Sequence, residues 1–252
     1  MTNYFDFANQ TYLVTGASSG LGRAVTKLLD ECNANVILTG QNEQRLEKTA
    51  DTLKNRSRHH IFAKNLLDDG YEDLFDVIAK NVGKLSGIVH CAGISPVLPI
   101  NSLTRDAIDE CTTVNFFSLV ELVRLFSKRK YRAEKGSIVA VSSISSLYPD
   151  KCQTVYAASK AALNAAVQGM ALELVRNDVR INAVLPGSMD TEMTNRARNE
   201  MGSENFERKL SKQILGLTRT EDVANVILFL LSDMSAVITG RLIPADGGYI
   251  NF

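Results

Sequence analysis

The sequence predicts an α/β fold, a single doubly wound parallel sheet of about seven strands with helices on both faces, and three observations carry that reading. Short β-branched apolar runs alternate with longer amphipathic segments almost from end to end. The runs are apolar on consecutive positions, as strands covered on both faces are. A glycine-rich turn joins the first run to the first amphipathic segment.

The predicted strands span 12–15, 36–39, 60–63, 88–91, 138–142, 180–185 and 242–244. Helical spacing puts Leu21, Ala24, Val25, Leu28 and Leu29 on one face of the first helix. Near the end, Val223, Ala224, Val226, Ile227, Leu230 and Leu231 repeat the pattern, with Thr220 as the expected N-cap and Glu221 and Asp222 in the first turn. No linker or composition shift divides the 252 residues, so one domain covering 1–252 is expected. The stretch 187–217 breaks the rhythm. It is polar, follows a strand, and carries Met189, Met193, Met201 and Phe206, which suits a substrate lid.

Composition narrows the function. Lys plus Arg and Asp plus Glu each total 28, which demotes nucleic acid as a partner because phosphate neutralisation needs a basic excess. Cys32, Cys91, Cys111 and Cys152 are scattered, and His59, His60 and His90 form no metal-binding spacing, so no metal site is expected. The N-terminal residues contain an acid and no apolar core, and no stretch approaches the ~20 apolar residues of a membrane span. A cytoplasmic protein without membrane partners is the expectation.

Gly16, Ser18, Ser19, Gly20, Leu21 and Gly22 form a strand–turn–helix loop suited to a dinucleotide pyrophosphate. At the end of the second strand stands Gln41, where a carboxylate would hold a free ribose 2′-hydroxyl. NADP(H) is therefore favoured, with NAD(H) the alternative. Arg45 and Lys48, a turn further on, read as a solvated face. Later, Ser143 closes the fifth strand, and Tyr156 and Lys160 share a helix face at i and i+4. A neighbouring ammonium is expected to lower the tyrosine pKa towards a value useful for proton exchange. Ser143 has the chemistry to hold a carbonyl oxygen.

Taken together, the glycine loop, Ser143 and the Tyr156/Lys160 pair resemble the short-chain dehydrogenase/reductase family. The resemblance is to its short single-domain group, which includes 3-oxoacyl-[acyl-carrier-protein] reductases, and it covers nearly the whole chain. It implies a Rossmann-type sheet and hydride transfer between a nicotinamide cofactor and a carbonyl or secondary alcohol. Tyr156 would be the general acid/base, Lys160 would lower its pKa and hold the ribose, and Ser143 would orient the carbonyl. Asn115 would be the fourth catalytic residue, positioning a water beside Lys160. Cofactor contacts would also come from Asn65, Leu66, Cys91, Ala92, Gly93, Pro186, Gly187, Met189 and Thr191.

Two positions depart from the family pattern: Cys91 replaces an asparagine, and Asn65-Leu66 replaces an Asp-Val pair. The resemblance further implies a homodimer or homotetramer. An acyl thioester is one substrate option, since Lys128-Arg129-Lys130-Tyr131-Arg132 with Lys135 would suit an acidic carrier, although such a run more often ends a helix with solvated charges. A catalytically silent dinucleotide sensor is the alternative function.

Overall fold

The computed structural model describes residues 5–249, apart from the Met201 side chain. Its strands are β1 (Thr11–Thr15), β2 (Asn35–Gly40), β3 (His60–Ala63), β4 (Leu85–His90), β5 (Arg132–Val141), β6 (Val179–Pro186) and β7 (Leu242–Ala245). They form one seven-stranded sheet in the order β3-β2-β1-β4-β5-β6-β7, every pair parallel. The helices are α1 (Gly20–Glu31), α2 (Glu43–Ala50), α3 (Tyr71–Asn81), α4 (Arg105–Thr112), α5 (Ser118–Phe126), α6 (Thr154–Leu174), α7 (Glu192–Met201), α8 (Ser203–Leu210) and α9 (Thr220–Leu231). A π-helical turn, Thr113–Phe117, joins α4 to α5.

The apolar runs divide between two cores because strand side chains alternate in direction. Val14, Val36, Leu38, Val89 and Val139 face α1, α2 and α9. Leu13, Ile37, Ile88, Ile138 and Ile181 face α3, α5 and α6. Both faces are thus filled, which is why these strands read as unbroken apolar runs.

All seven expected strands are present; β3 has the expected ends and the others are shifted. β4 stops at His90 and β5 at Val141, so Cys91 and Ser142 lie just beyond them. Helix α9 begins at Thr220 itself, with Arg219 at the cap position and no side-chain cap bond. Instead Arg219 pairs with Asp222 at 2.7 Å. The basic run agrees with expectation in part. It follows the end of α5 with Arg129, Lys130 and Lys135 exposed, as expected, but Lys128 lies 2.8 Å from Glu72 and Lys130 3.2 Å from Asp76, both on α3. Arg132 opens β5 with its guanidinium on the carbonyls of Ala133 and Glu134, and it is only 4% exposed. Local acids and carbonyls therefore engage Lys128, Lys130 and Arg132.

At the opposite end of the sheet, Asp30 ties α1 to the chain leaving α2. It accepts from Lys54 N at 2.6 Å and lies 2.9 Å from His59 Nε2. His59 Nδ1 accepts from Val36 N at 3.1 Å, so the proton of the neutral ring sits on Nε2, facing Asp30. Burial holds His59 below its usual pKa despite Asp30. Asp30 is also lowered: burial raises it, but the His59 and Lys54 bonds outweigh burial. Both depressed values act in one direction. The unfolded chain protonates His59 near pH 6.5 while the fold resists, so stability present above that pH declines on acidification, by at most about 1.4 kcal/mol per pH unit from this group. The Asp30 contribution is lost further down, below the ordinary aspartate range. Urea titrations of wild type and His59→Gln at pH 7.5 and 5.5 should show a smaller pH dependence in the variant.

Candidate active site

Strand order reverses between β1 and β4, and at such a switch point the loops leaving the carboxyl ends open a crevice. Gly16 and Gly20 adopt φ of +66° and +48°, which lets the chain leaving β1 turn directly into α1. A Cβ on Gly22 would stand 2.2 Å from Gly16 O, so the loop closes over the first turn of α1 only because that atom is missing. The first turn of α1 contains no acid, and Ser19 makes no side-chain cap bond. Backbone N–H groups and the positive helix end therefore face the crevice, and this cradle fits a pyrophosphate.

The proposed catalytic residues come from three other segments. Ser143 follows β5, Tyr156 and Lys160 lie on the first turns of α6, and Asn115 lies in the π-helical turn. Ser143 and Tyr156 line the same cleft, and the Ser143 hydroxyl is near enough to act on the Tyr156 phenol. Lys160 is 3% exposed and donates from Nζ to Val141 O at 2.7 Å. Asn115 is fully buried and clamps the loop after β4: Oδ1 accepts from Ile94 N at 2.8 Å, and Nδ2 donates to Ile94 O at 2.9 Å and Ser159 Oγ at 2.9 Å. A Cβ on Gly93 would lie 3.2 Å from Asn115 Oδ1 and 3.4 Å from Lys160 Nζ, so these two side chains meet around that glycine.

The electrostatics correct one expectation. Tyr156 is raised, not lowered: burial pushes it up and the nearby Ser143 hydroxyl only partly offsets this. Burial also draws Lys160 down to about 8, weakening the charge that was expected to stabilise a phenolate. Beneath them His90 is fully buried, with Nδ1 3.0 Å from Thr15 Oγ1 and Nε2 3.3 Å from Ser118 Oγ. Burial, reinforced by Lys160, brings His90 to about 3 and keeps it neutral. Thr15 Oγ1 in turn accepts from Ala92 N at 3.0 Å, so His90 braces β1 against the loop after β4. It works as a structural brace.

Most of the expected cofactor residues line one cleft with Ser143, Tyr156 and Lys160: Gly16, Ser19, Gly20, Leu21, Gly22, Cys91, Ala92, Gly93, Pro186, Gly187, Met189 and Thr191. Ser18, Gln41, Asn65 and Leu66 lie outside that lining. Gln41 Nε2 donates to Asn65 Oδ1 at 2.7 Å, linking the ends of β2 and β3. Asn65 Oδ1 also accepts from Leu67 N at 3.1 Å, and Leu66 is buried. Arg45 is not simply solvated; it pairs with Glu192 of α7 at 2.7 Å.

Residues 187–217 carry α7 and α8 beside the cleft, which Met193 and Phe206 help line. Gln213 fastens this segment: Oε1 accepts from Ser188 N at 2.8 Å, and Nε2 donates to Ser188 O at 3.1 Å. Ser95, Gln153 and Lys209 also line the cleft and were missed in the sequence reading. Gln153 had a usable signal, since it stands three residues before Tyr156 at the start of the same helix. Among the described residues no cluster could hold a metal ion, and no helix is long and apolar enough to cross a membrane.

This sheet, glycine cradle and Ser/Tyr/Lys cleft define a dinucleotide-dependent oxidoreductase. Comparison with known proteins carries the assignment further. The family model described as Enoyl-(Acyl carrier protein) reductase matches residues 16–250. The 3-oxoacyl-[acyl-carrier-protein] reductase of Thermotoga maritima is 32% identical over 94% of this chain and 96% of its own. L-xylulose reductase of Caenorhabditis elegans is 32% identical over 98% of both chains. A solved 3-oxoacyl (acyl-carrier-protein) reductase from Agrobacterium tumefaciens with NADP bound superimposes with a TM-score of 0.87 at 26% identity, covering 98% of this chain and 96% of that one. The chain belongs to the short-chain dehydrogenase/reductase family, and it is a nicotinamide-dependent oxidoreductase acting on carbonyl and alcohol groups.

Proposed function

We propose that this protein reduces a small-molecule ketone with NADPH, Tyr156 donating the proton to the carbonyl oxygen. The observation that carries this reading is that Ser143, Tyr156 and Lys160 line one cleft with the glycine cradle. When bound, the nicotinamide supplies the hydride. Ser143 orients the carbonyl oxygen beside the Tyr156 proton. Lys160, buried against Val141 O, places a cation next to the ribose and the phenol. Asn115 acts through position: its clamp on Ile94 fixes the loop that carries Ala92 and Gly93.

The preference for NADP(H) rests on the amide pair Gln41–Asn65 standing where a carboxylate would repel a 2′-phosphate. The NADP-bound relative supports it. In this reading the chain is one domain with residues 187–217 as its lid, and it works in the cytoplasm as a homodimer or homotetramer. NADPH and NADH consumption measured against ketones, β-ketoacyl thioesters and keto-sugars tests it. Turnover that is faster with NADPH is expected; tight cofactor binding without turnover on any class would overturn it.

The direction of proton transfer adds a second expectation. A phenol raised by burial keeps its proton through neutral pH, which suits it to donate in reduction. Reduction should therefore be nearly flat between pH 6 and 8, whereas alcohol oxidation, which needs the phenolate, should climb with pH. Rate profiles in both directions check this, and an oxidation rate that falls with rising pH would contradict it.

A further inference from the structure

Past Tyr156 the cleft continues along a row of polar side chains that the proposed proton transfer does not use. Gln153 is 4% exposed; its Nε2 donates to Ser95 Oγ at 3.4 Å and its Oε1 accepts from Lys209 Nζ at 3.4 Å. The cation facing Oε1 fixes which way the amide points. Lys209 Nζ also lies 2.7 Å from Asp150 Oδ2, with side-chain exposures of 13% and 21%. The row therefore joins the loop after β4, the start of α6 and the lid helix α8. Ser95, Gln153 and Lys209 share the cleft lining with Ser143 and Tyr156.

Three substrate chemistries can be weighed against this row. An acyl chain laid along it would strip water from a hydroxyl, an amide and an ammonium without replacing their bonds, which is costly for each group left unpaired. A carboxylate would find the Lys209 charge already matched by Asp150 and would feel that second carboxylate as a repulsion. A neutral hydroxyl meets neither objection, because it donates and accepts at once. It can accept from Lys209 or Ser95 and donate to Gln153 Oε1. The two 3.4 Å contacts of Gln153 are long for hydrogen bonds, so these groups retain capacity for a ligand.

We propose that the substrate is an uncharged ketone bearing hydroxyl groups on the carbons next to its carbonyl. Ser143 and Tyr156 take the carbonyl oxygen, Ser95, Gln153 and Lys209 take the neighbouring hydroxyls, and Phe206 and Met193 cover the carbon chain. This rests on the reading of Tyr156 as proton donor. The carbonyl carbon gains a hydride from NADPH, the oxygen gains the Tyr156 proton, and Tyr156 recovers a proton from solvent. The products are a polyol and NADP+.

The test compares erythrulose with 2-butanone, which share a four-carbon chain, alongside acetoacetyl-N-acetylcysteamine and 2-oxobutyrate. Erythrulose should lead 2-butanone by at least about 100-fold in kcat/KM, because a site built around substrate hydroxyls rejects analogues that lack them. That ratio should fall at least tenfold in Lys209→Met and be largely restored in Lys209→Arg. A lead for the thioester or the keto acid overturns the proposal, as does a ratio that Lys209→Met leaves unmoved. Calorimetric binding of threitol and 2-butanol to the NADP+-loaded protein separates this inference from the reductase reading. Threitol binding at least tenfold tighter, and weakened in Lys209→Met, supports the site even where no ketone turns over. Equal binding of the two alcohols overturns the substrate class and leaves the Tyr156 assignment standing.

Discussion

Tyr156→Phe is expected to lower kcat for ketone reduction by about 10²–10⁴-fold, the range a positioned general acid supplies. The substitution keeps the ring and its packing and removes only the hydroxyl that shares the cleft with Ser143. Cofactor affinity should therefore change little, because the glycine cradle on α1 is untouched. Calorimetric titration with NADPH and initial rates on one ketone separate the two effects. An unchanged kcat would show that the proton comes from elsewhere. A loss of cofactor binding together with rate would show that the residue holds the ligand instead of reacting with it.

Gly22→Ala should remove cofactor binding almost completely. Its Cβ would stand 2.2 Å from Gly16 O and 2.7 Å from Gly16 C, both backbone atoms that cannot rotate aside. The loop must lift away from the first turn of α1, and the N–H groups there lose their common aim. We expect NADPH affinity to fall by more than about 100-fold, close to 2.8 kcal/mol, together with a lower Tm. Gly169→Ala is the control. It lies within α6 with no atom inside 4 Å of the added carbon, and alanine is favoured over glycine in a helix by about 1 kcal/mol. That variant should bind cofactor normally and melt no lower than wild type. A Gly22→Ala protein that bound NADPH as tightly as wild type would place the pyrophosphate away from α1.

How much of this was legible in the sequence follows from what each feature depends on. The strands were readable because burial on both faces leaves a local mark, as in Val36, Ile37 and Leu38, whose neighbours divide between two cores. The glycine loop and the i, i+4 pair were readable for the same reason, since their geometry is set within a few residues. The start of β5 was not, because Arg132 and Glu134 are polar and their place in the sheet is decided by pairing with distant strands. The tyrosine pKa was misjudged because spacing along a helix reports proximity and says nothing of burial. Here burial raises Tyr156 and lowers Lys160 together. Lys209 was hidden altogether. On α8 it is one charge among several, and only the folding of 203–210 against Asp150 and Gln153 brings it to the cleft.

The π-helical turn at Thr113–Phe117 has a consequence for how the chain can change over generations. A π turn holds one residue more than the α-helix on either side needs, and each residue advances an α-helix by about 100°. The side chains of α4 and α5 are therefore out of phase, and Asn115 sits at the break with its amide turned towards Ile94. Deleting a single codon within 113–117 would let the whole segment close as regular helix, with its backbone bonds intact. The amide would swing away from the loop after β4. Most length changes inside a helix are purged because they ruin packing. At this point a one-residue deletion would spare the helix and forfeit the clamp, so retention of the extra residue is governed by selection on the site more than on the scaffold.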